Sequence, residues 1–196
     1  MGCDTLGRMG KTMEKSVSSL KMPTMGAKEP TFSIATDGSL VSVGGEGCPP
    51  IKALSDLSAI TQFSTPKSPT PDKMISTTKL DKIESHCTLA ANAVTVEVAF
   101  DFSGTLGPVG VKDLDGQANY TYPYFLAVVT PDGKILSKDV FALSMIYENG
   151  QITFRRQDKL RQVIPLSAGQ KAEGYNIMIG FQLSEDELAY NQIGRA

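Results

Sequence analysis

The stretch Ala93-Val94-Thr95-Val96-Glu97-Val98-Ala99-Phe100-Asp101-Phe102 alternates large apolar side chains with polar or small ones. Successive side chains of an extended chain point to opposite faces. Val94, Val96, Val98 and Phe100 therefore share one buried face, and Thr95, Glu97, Ala99 and Asp101 the other. A helix would scatter the same residues around its axis, so the period reads as a half-buried β-strand. On its N-terminal side Leu80, Ile83, Cys87 and Leu89 form a second apolar arm, with Ala90-Ala91-Asn92 as the turn. On its C-terminal side Gly104, Gly107-Pro108, Gly110 and Asp115-Gly116 mark a long loop spanning about 104–121.

Further out the strand signals continue. Phe32, Ile34, Leu40, Val41 and Val43 flank Thr36-Asp37-Gly38-Ser39, the composition of a tight hairpin. Ile51–Leu54 is extended, and Ala59–Phe63 is either a strand or part of a short helix starting at Ser55. Residues 64–73 hold three prolines and read as an exposed loop. Downstream, Tyr122–Val129 is aromatic and β-branched, Thr130-Pro131-Asp132-Gly133 is a type I turn, and Ile135–Tyr147 is one long or bent strand. Glu148-Asn149-Gly150-Gln151 carries a strong hairpin signal, leading into Ile152–Phe154 and Arg161–Leu166. Tyr175, Ile177, Ile179 and Phe181 alternate along a final strand, and Ser184 with Glu187 forms a capping box for a helix running to Asn191.

Seven or eight strands with one short terminal helix predict an all-β chain folded as an antiparallel β-sandwich. Its likeness to immunoglobulin and fibronectin domains is one of architecture, because the chain has no Trp for the Cys–Trp–Cys hallmark. A barrel is the second choice. Three regions are expected: an anchor stub and extended tether over 1–30, the sandwich over 31–192, and a tail over 193–196. Within the first, Met9, Met13, Val17 and Leu20 form a thin helical stripe.

The 196 residues include 19 Lys and Arg, 21 Asp and Glu and a single His, for a formal net charge of −2. That balance lacks the basic surplus of a nucleic-acid binder. No hydrophobic run is long enough for a membrane-spanning helix. The nucleophile-elbow, phosphate-loop and zincin motifs are all missing. His86 and Cys87 are adjacent on a strand, so their side chains point apart and make a poor nucleophilic pair. Asp113-Leu114-Asp115-Gly116 resembles a fragment of a calcium loop without its closing Glu. These observations predict no catalytic residues, no metal and no cofactor.

Two features remain as candidate interfaces. Tyr120, Tyr122 and Tyr124 are either core or a binding platform, since aromatics anchor interfaces. Arg155 and Arg156 begin a basic cluster ending at Arg161, either a solvated hairpin end or a contact for lipid headgroups, a glycan or an acidic partner face.

Met1-Gly2-Cys3 resembles the stub of a bacterial lipoprotein, in which the cysteine becomes the diacylated N-terminus. An N-myristoylation motif with Cys3 as palmitoyl site is a second reading, but Leu6 stands where Ser or Thr is wanted, and a cysteine that signals no lipidation is the third. Cys48 and Cys87 are the natural disulfide pair once Cys3 carries lipid. Three cysteines allow three pairings, however, and two buried free thiols are a further alternative.

Gly47-Cys48-Pro49-Pro50, Thr61-Gln62-Phe63, His86-Cys87, Tyr122–Val129, Ile164-Pro165-Leu166, Gly180–Leu183 and Tyr190-Asn191 occur in this order. Together they resemble a family of small Gram-negative envelope lipoproteins without an assigned enzymatic role, over about residues 45–192. The resemblance implies a periplasmic sandwich with one disulfide, anchored by lipid, and no active site. The function expected is a non-catalytic accessory subunit or interaction module on the periplasmic face of the outer membrane. Its partners would be the membrane, through lipid on Cys3, and other envelope proteins, with no nucleic acid. The alternative is a ligand- or glycan-binding sandwich using the 104–121 loop.

Overall fold

The computed structural model describes residues 31–34, 39–148 and 150–193. Cys3, the Met9–Leu20 stripe, the first three residues of the Thr36–Ser39 turn and the last three residues of the chain lie outside them. The ten strands are β1 (Thr31–Ile34), β2 (Leu40–Val43), β3 (Pro50–Ala53), β4 (Ala59–Phe63), β5 (Met74–Leu89), β6 (Ala93–Leu106), β7 (Ala118–Val129), β8 (Ile135–Tyr147), β9 (Thr153–Pro165) and β10 (Asn176–Phe181), and the helix α1 is Glu185–Ile193. They form two sheets ordered β1-β2-β3-β10-β7-β8 and β4-β5-β6-β9. Neither sheet closes on itself, so the molecule is a sandwich and not a barrel. All pairings are antiparallel except β3 with β10, which run parallel from Ile51↔Ile177 to Ala53↔Ile179.

The alternation that predicts β6 holds along its full length: Val94, Val96, Val98, Phe100, Phe102 and Leu106 are all buried. Across the layer, Phe102 packs on Tyr124 of β7 with ring centroids 5.5 Å apart and on Phe181 of β10 at 5.9 Å. Phe100 meets Tyr124 edge-on at 6.3 Å. Burying each such ring stabilises the fold by about 1.5–3 kcal/mol, and this aromatic block joins the two sheets.

The expected apolar arm on β5 has an uneven spacing, since Leu80 and Ile83 are three residues apart. A register shift between Leu80 and Lys82 absorbs the extra residue, and both side chains stay in the core. Leu89, expected to share that face, is exposed at the strand end.

Three other expectations change. Gly104 is not a loop residue: β6 continues through it to Leu106, leaving a connection over 107–117. It sits on the inner face because a Cβ there would fall 2.4 Å from the Tyr147 hydroxyl and 2.7 Å from Met145 Cε. The Glu148–Gln151 turn forms, with Gln151 N–H donating to Glu148 O at 2.9 Å, but it closes no hairpin. It carries the chain from β8 in one sheet to β9 in the other. Arg155–Leu160, read as a hairpin end, lies within β9, which is unbroken from Thr153 to Pro165. The choice left open before β4 falls to the strand: Ser55–Leu57 is a single 3-10 turn, and Ala59–Phe63 is β4.

Cys48 and Cys87 are disulfide-bonded, with Cα atoms 5.9 Å apart. The bond ties the turn before β3 to β5, and so one sheet to the other. Ser42 Oγ and Ser85 Oγ hydrogen-bond between the same two sheets at 2.9 Å, buried. At the C-terminus the capping box is present: Glu187 N–H donates to Ser184 Oγ at 3.3 Å, and Ser184 N–H to the Glu187 carboxylate at 2.8 Å. The Asn191 amide then donates to the backbone oxygens of Asp56 and Ala59, each at 2.8 Å, holding α1 against the edge of the sandwich.

Candidate functional site

The tyrosines and arginines singled out in the sequence separate in space. Tyr122 and Tyr124 are buried and cannot form a surface platform; they face inward on β7 because the inner row of that strand must fill the core. The Tyr122 hydroxyl donates to Ser76 Oγ at 2.6 Å, and burial raises its pKa. Tyr120 is half-buried, and its hydroxyl accepts the Val111 N–H at 2.8 Å, bracing the 107–117 connection. In that connection the Asp113 carboxylate accepts the N–H groups of Asp115 and Gln117 at 3.0 and 2.8 Å. The calcium-like acids are thus a local turn. Among the described residues, no group of three or more His, Cys, Asp or Glu could hold a metal ion. His86 is exposed, while the Cys87 sulfur is engaged in the disulfide.

Arg155 and Arg156, by contrast, are exposed on β9, the edge strand of the four-stranded sheet. The outer face of that sheet is organised in rungs across β5, β6 and β9. In order they are Lys79–Ser103–Arg155, Lys82–Asp101–Gln157, Glu84–Ala99–Lys159 and His86–Glu97–Arg161. The small side chain of Ala99 leaves a shallow concavity of about 630 Å³ between Glu84 and Lys159. A second one, about 450 Å³, lies beside Lys82, Asp101 and Arg155.

Charge is sorted by strand on this face. The central strand β6 contributes Glu97 and Asp101, and the edge strand contributes cations. Gln157 donates to Asp101 at 2.8 Å, and Lys82 pairs with Glu84. The single carboxylate on β9, Asp158, faces the other way and accepts the Tyr124 hydroxyl at 2.7 Å. Burial raises the Tyr124 pKa first of all, and this bond adds to the rise, so its phenol stays protonated. With Asp158 engaged inward, Arg155, Arg156, Lys159 and Arg161 form no ion pair among the described residues.

The sequence flagged the basic cluster but not its geometry. The missed signal is the alternation of Arg155, Gln157, Lys159 and Arg161 with Phe154, Asp158, Leu160 and Ile164; Arg156 and Gln162 fall in the second row, so Arg156 lies on the opposite face from the other three cations. A third concavity of about 270 Å³ lies between β4 and the first turn of α1, walled by Phe63 and Tyr190, whose rings meet edge-on at 4.8 Å.

Comparison with protein-family models, with curated proteins and with solved structures gives no match to this chain.

Proposed function

We propose that this chain is a non-catalytic interaction module of a bacterial envelope, anchored by lipid on Cys3 at the periplasmic face of the outer membrane and engaging other envelope proteins. One observation carries the reading. The exposed edge strand β9 presents Arg155, Lys159 and Arg161 on its outer face, none of them in an ion pair among the described residues, while its own carboxylate accepts the Tyr124 hydroxyl. A row of cations along a sheet edge, with the carboxylates of its face set back on β5 and β6, is a surface suited to an anionic partner. The Cys48–Cys87 disulfide supports an oxidising compartment, where such bonds persist.

A ligand- or glycan-binding role for the 104–121 segment rests on exposed Val111 and Leu114 beside Tyr120. The concavities described above are lined by other residues, so this reading stands second.

The test is fractionation of cells expressing the full chain and its Cys3→Ser variant, followed by mass spectrometry of chains that co-purify from gently solubilised membranes. Release of the variant from membranes and a stoichiometric partner for the parent chain support the proposal. Membrane retention of Cys3→Ser overturns the anchor. A parent chain that purifies alone overturns the module.

A further inference from the structure

We propose that the edge of β9, unpaired among the described residues, is completed by an extended acidic segment of a partner protein, which adds as a fifth strand to the four-stranded sheet. The inference rests on reading the chain as an interaction module and names what the β9 edge takes.

The backbone parity of β9 follows from bonds just outside its two ends. Leu106 N–H donates to Ile152 O at 2.7 Å, and Leu166 N–H donates to Asn92 O at 2.8 Å. Between these bonds the β6–β9 register runs without a shift from Thr105↔Thr153 to Ala93↔Pro165. In an antiparallel ladder, hydrogen-bonded pairs alternate with pairs whose N–H and C=O groups point away. Hence Phe154, Arg156, Asp158, Leu160, Gln162 and Ile164 bond to β6. Thr153, Arg155, Gln157, Lys159, Arg161 and Val163 turn their peptide groups to the free edge. Two side-chain contacts agree: Lys159 N–H donates to Asp158 Oδ1 at 3.1 Å, and the Gln162 amide donates to Val163 O at 3.3 Å, both exposed.

The residues with outward peptide groups are thus also those with outward side chains on the solvent face. A strand added at this edge sets its own residues directly opposite Arg155, Lys159 and Arg161, on the same face, with Cβ atoms about 5.5 Å apart. Opposite charges there stabilise the pairing and like charges oppose it. Read antiparallel from Arg161, the complementary strand carries acids at a first position, two residues later and six residues later. The three cations span roughly 20 Å at about 3.4 Å per residue.

A second copy of this edge is a poor occupant. A twofold axis at Asp158 sets Arg161 against Arg155, and one at Leu160 sets Lys159 against Arg161. The cations that protect this edge from indiscriminate pairing also select for an acidic strand.

The experiment uses the full chain and a synthetic ten-residue peptide of Thr and Val with Glu at those three positions. A peptide with the three Glu residues moved to the intervening positions, and one with Lys in their place, serve as controls. Amide hydrogen exchange followed by NMR should show protection of Arg155, Gln157 and Arg161 on adding the first peptide, lost at high salt. The triple charge-reversal variant R155E/K159E/R161E, its fold checked by circular dichroism, should bind that peptide about tenfold more weakly and prefer the Lys peptide. No protection by the Glu peptide, or equal protection by all three peptides, overturns strand addition. If the triple variant still captures the membrane partner of the parent chain, the β9 site is overturned while the module reading stands. If the Glu peptide binds but the parent chain has no membrane partner, the module reading fails and the edge chemistry stands.

Discussion

The hydroxyl of Tyr124 on β7 donates to the carboxylate of Asp158 on β9 at 2.7 Å, so a core tyrosine of one sheet holds the carboxylate of the other sheet's edge strand. Bonds to a charged acceptor are worth about 1.5–3 kcal/mol. Tyr124→Phe should lower unfolding stability by that amount in urea titration, with Asp158→Asn losing less because an amide oxygen still accepts. An unchanged midpoint for Tyr124→Phe would show that the bond contributes nothing across the layer.

Gly104 and Tyr147 form a second coupled pair. Gly104→Ala places a methyl 2.4 Å from the Tyr147 hydroxyl, which makes no hydrogen bond of good geometry among the described residues. Overpacking of this kind costs about 1–3 kcal/mol. Tyr147→Phe removes that poorly bonded hydroxyl and should be close to neutral. The double variant G104A/Y147F should recover part of the loss of G104A, as a non-additive term in a double-mutant cycle. Strict additivity of the two changes would rule out the contact.

Alkaline pH should unfold the chain through its buried phenols. Burial pushes the Tyr147 pKa up to about 12, and it raises those of Tyr122 and Tyr124 as well. A tyrosine whose folded pKa lies above its unfolded value keeps its proton longer when folded. The stability it contributes is full below the unfolded pKa near 10 and is lost as pH rises. For Tyr147 the window is about pH 10 to 12. Midpoints in urea should therefore fall across that window in the parent chain and fall less steeply in Tyr147→Phe. Parallel pH profiles would contradict the assignment.

The disulfide closes a loop with a sequence separation of 39. In the chain-entropy picture it contributes about 4 kcal/mol. The paired variant C48S/C87S should lose about 2–4 kcal/mol in urea. Faster migration of the unreduced parent chain than of the reduced one would confirm the bridge, and identical mobility would count against it.

Asn191 should hold the terminal helix in place. Its amide donates to both Asp56 O and Ala59 O, so Asn191→Ala leaves two backbone acceptors without that donor. Amide exchange across Glu185–Ile193 should quicken in the variant while the strands stay protected. Unchanged exchange in α1 would show that the Phe63–Tyr190 contact alone suffices.

Local chemistry made much of this legible in advance. The period-two rows of β6 and β10, the Thr130–Gly133 turn and the Ser184–Glu187 capping box depend on neighbours a few residues apart, so they can be read from the chain alone. The same holds for the class of fold, because so many alternating rows must bury one face against another. The β5 spacing was harder: Leu80 and Ile83 fit a single face only once β6 imposes the register shift between Leu80 and Lys82.

The β-sandwich class, most of the core side chains and most of the turns are legible from the chain alone, because propensity and hydrophobic alternation act locally. Four features emerge only in the folded molecule: Glu148–Gln151 joins two sheets, Gly104 makes room for Tyr147, β3 and β10 run parallel, and Asp158 faces Tyr124. Each of these depends on which strands become neighbours across long separations, and strand pairing is settled by packing of the whole layer. The cationic edge of β9 belongs to the second group: the same residues at the end of a hairpin would have been a solvated cluster, but on an edge strand their peptide groups and charges face outward together.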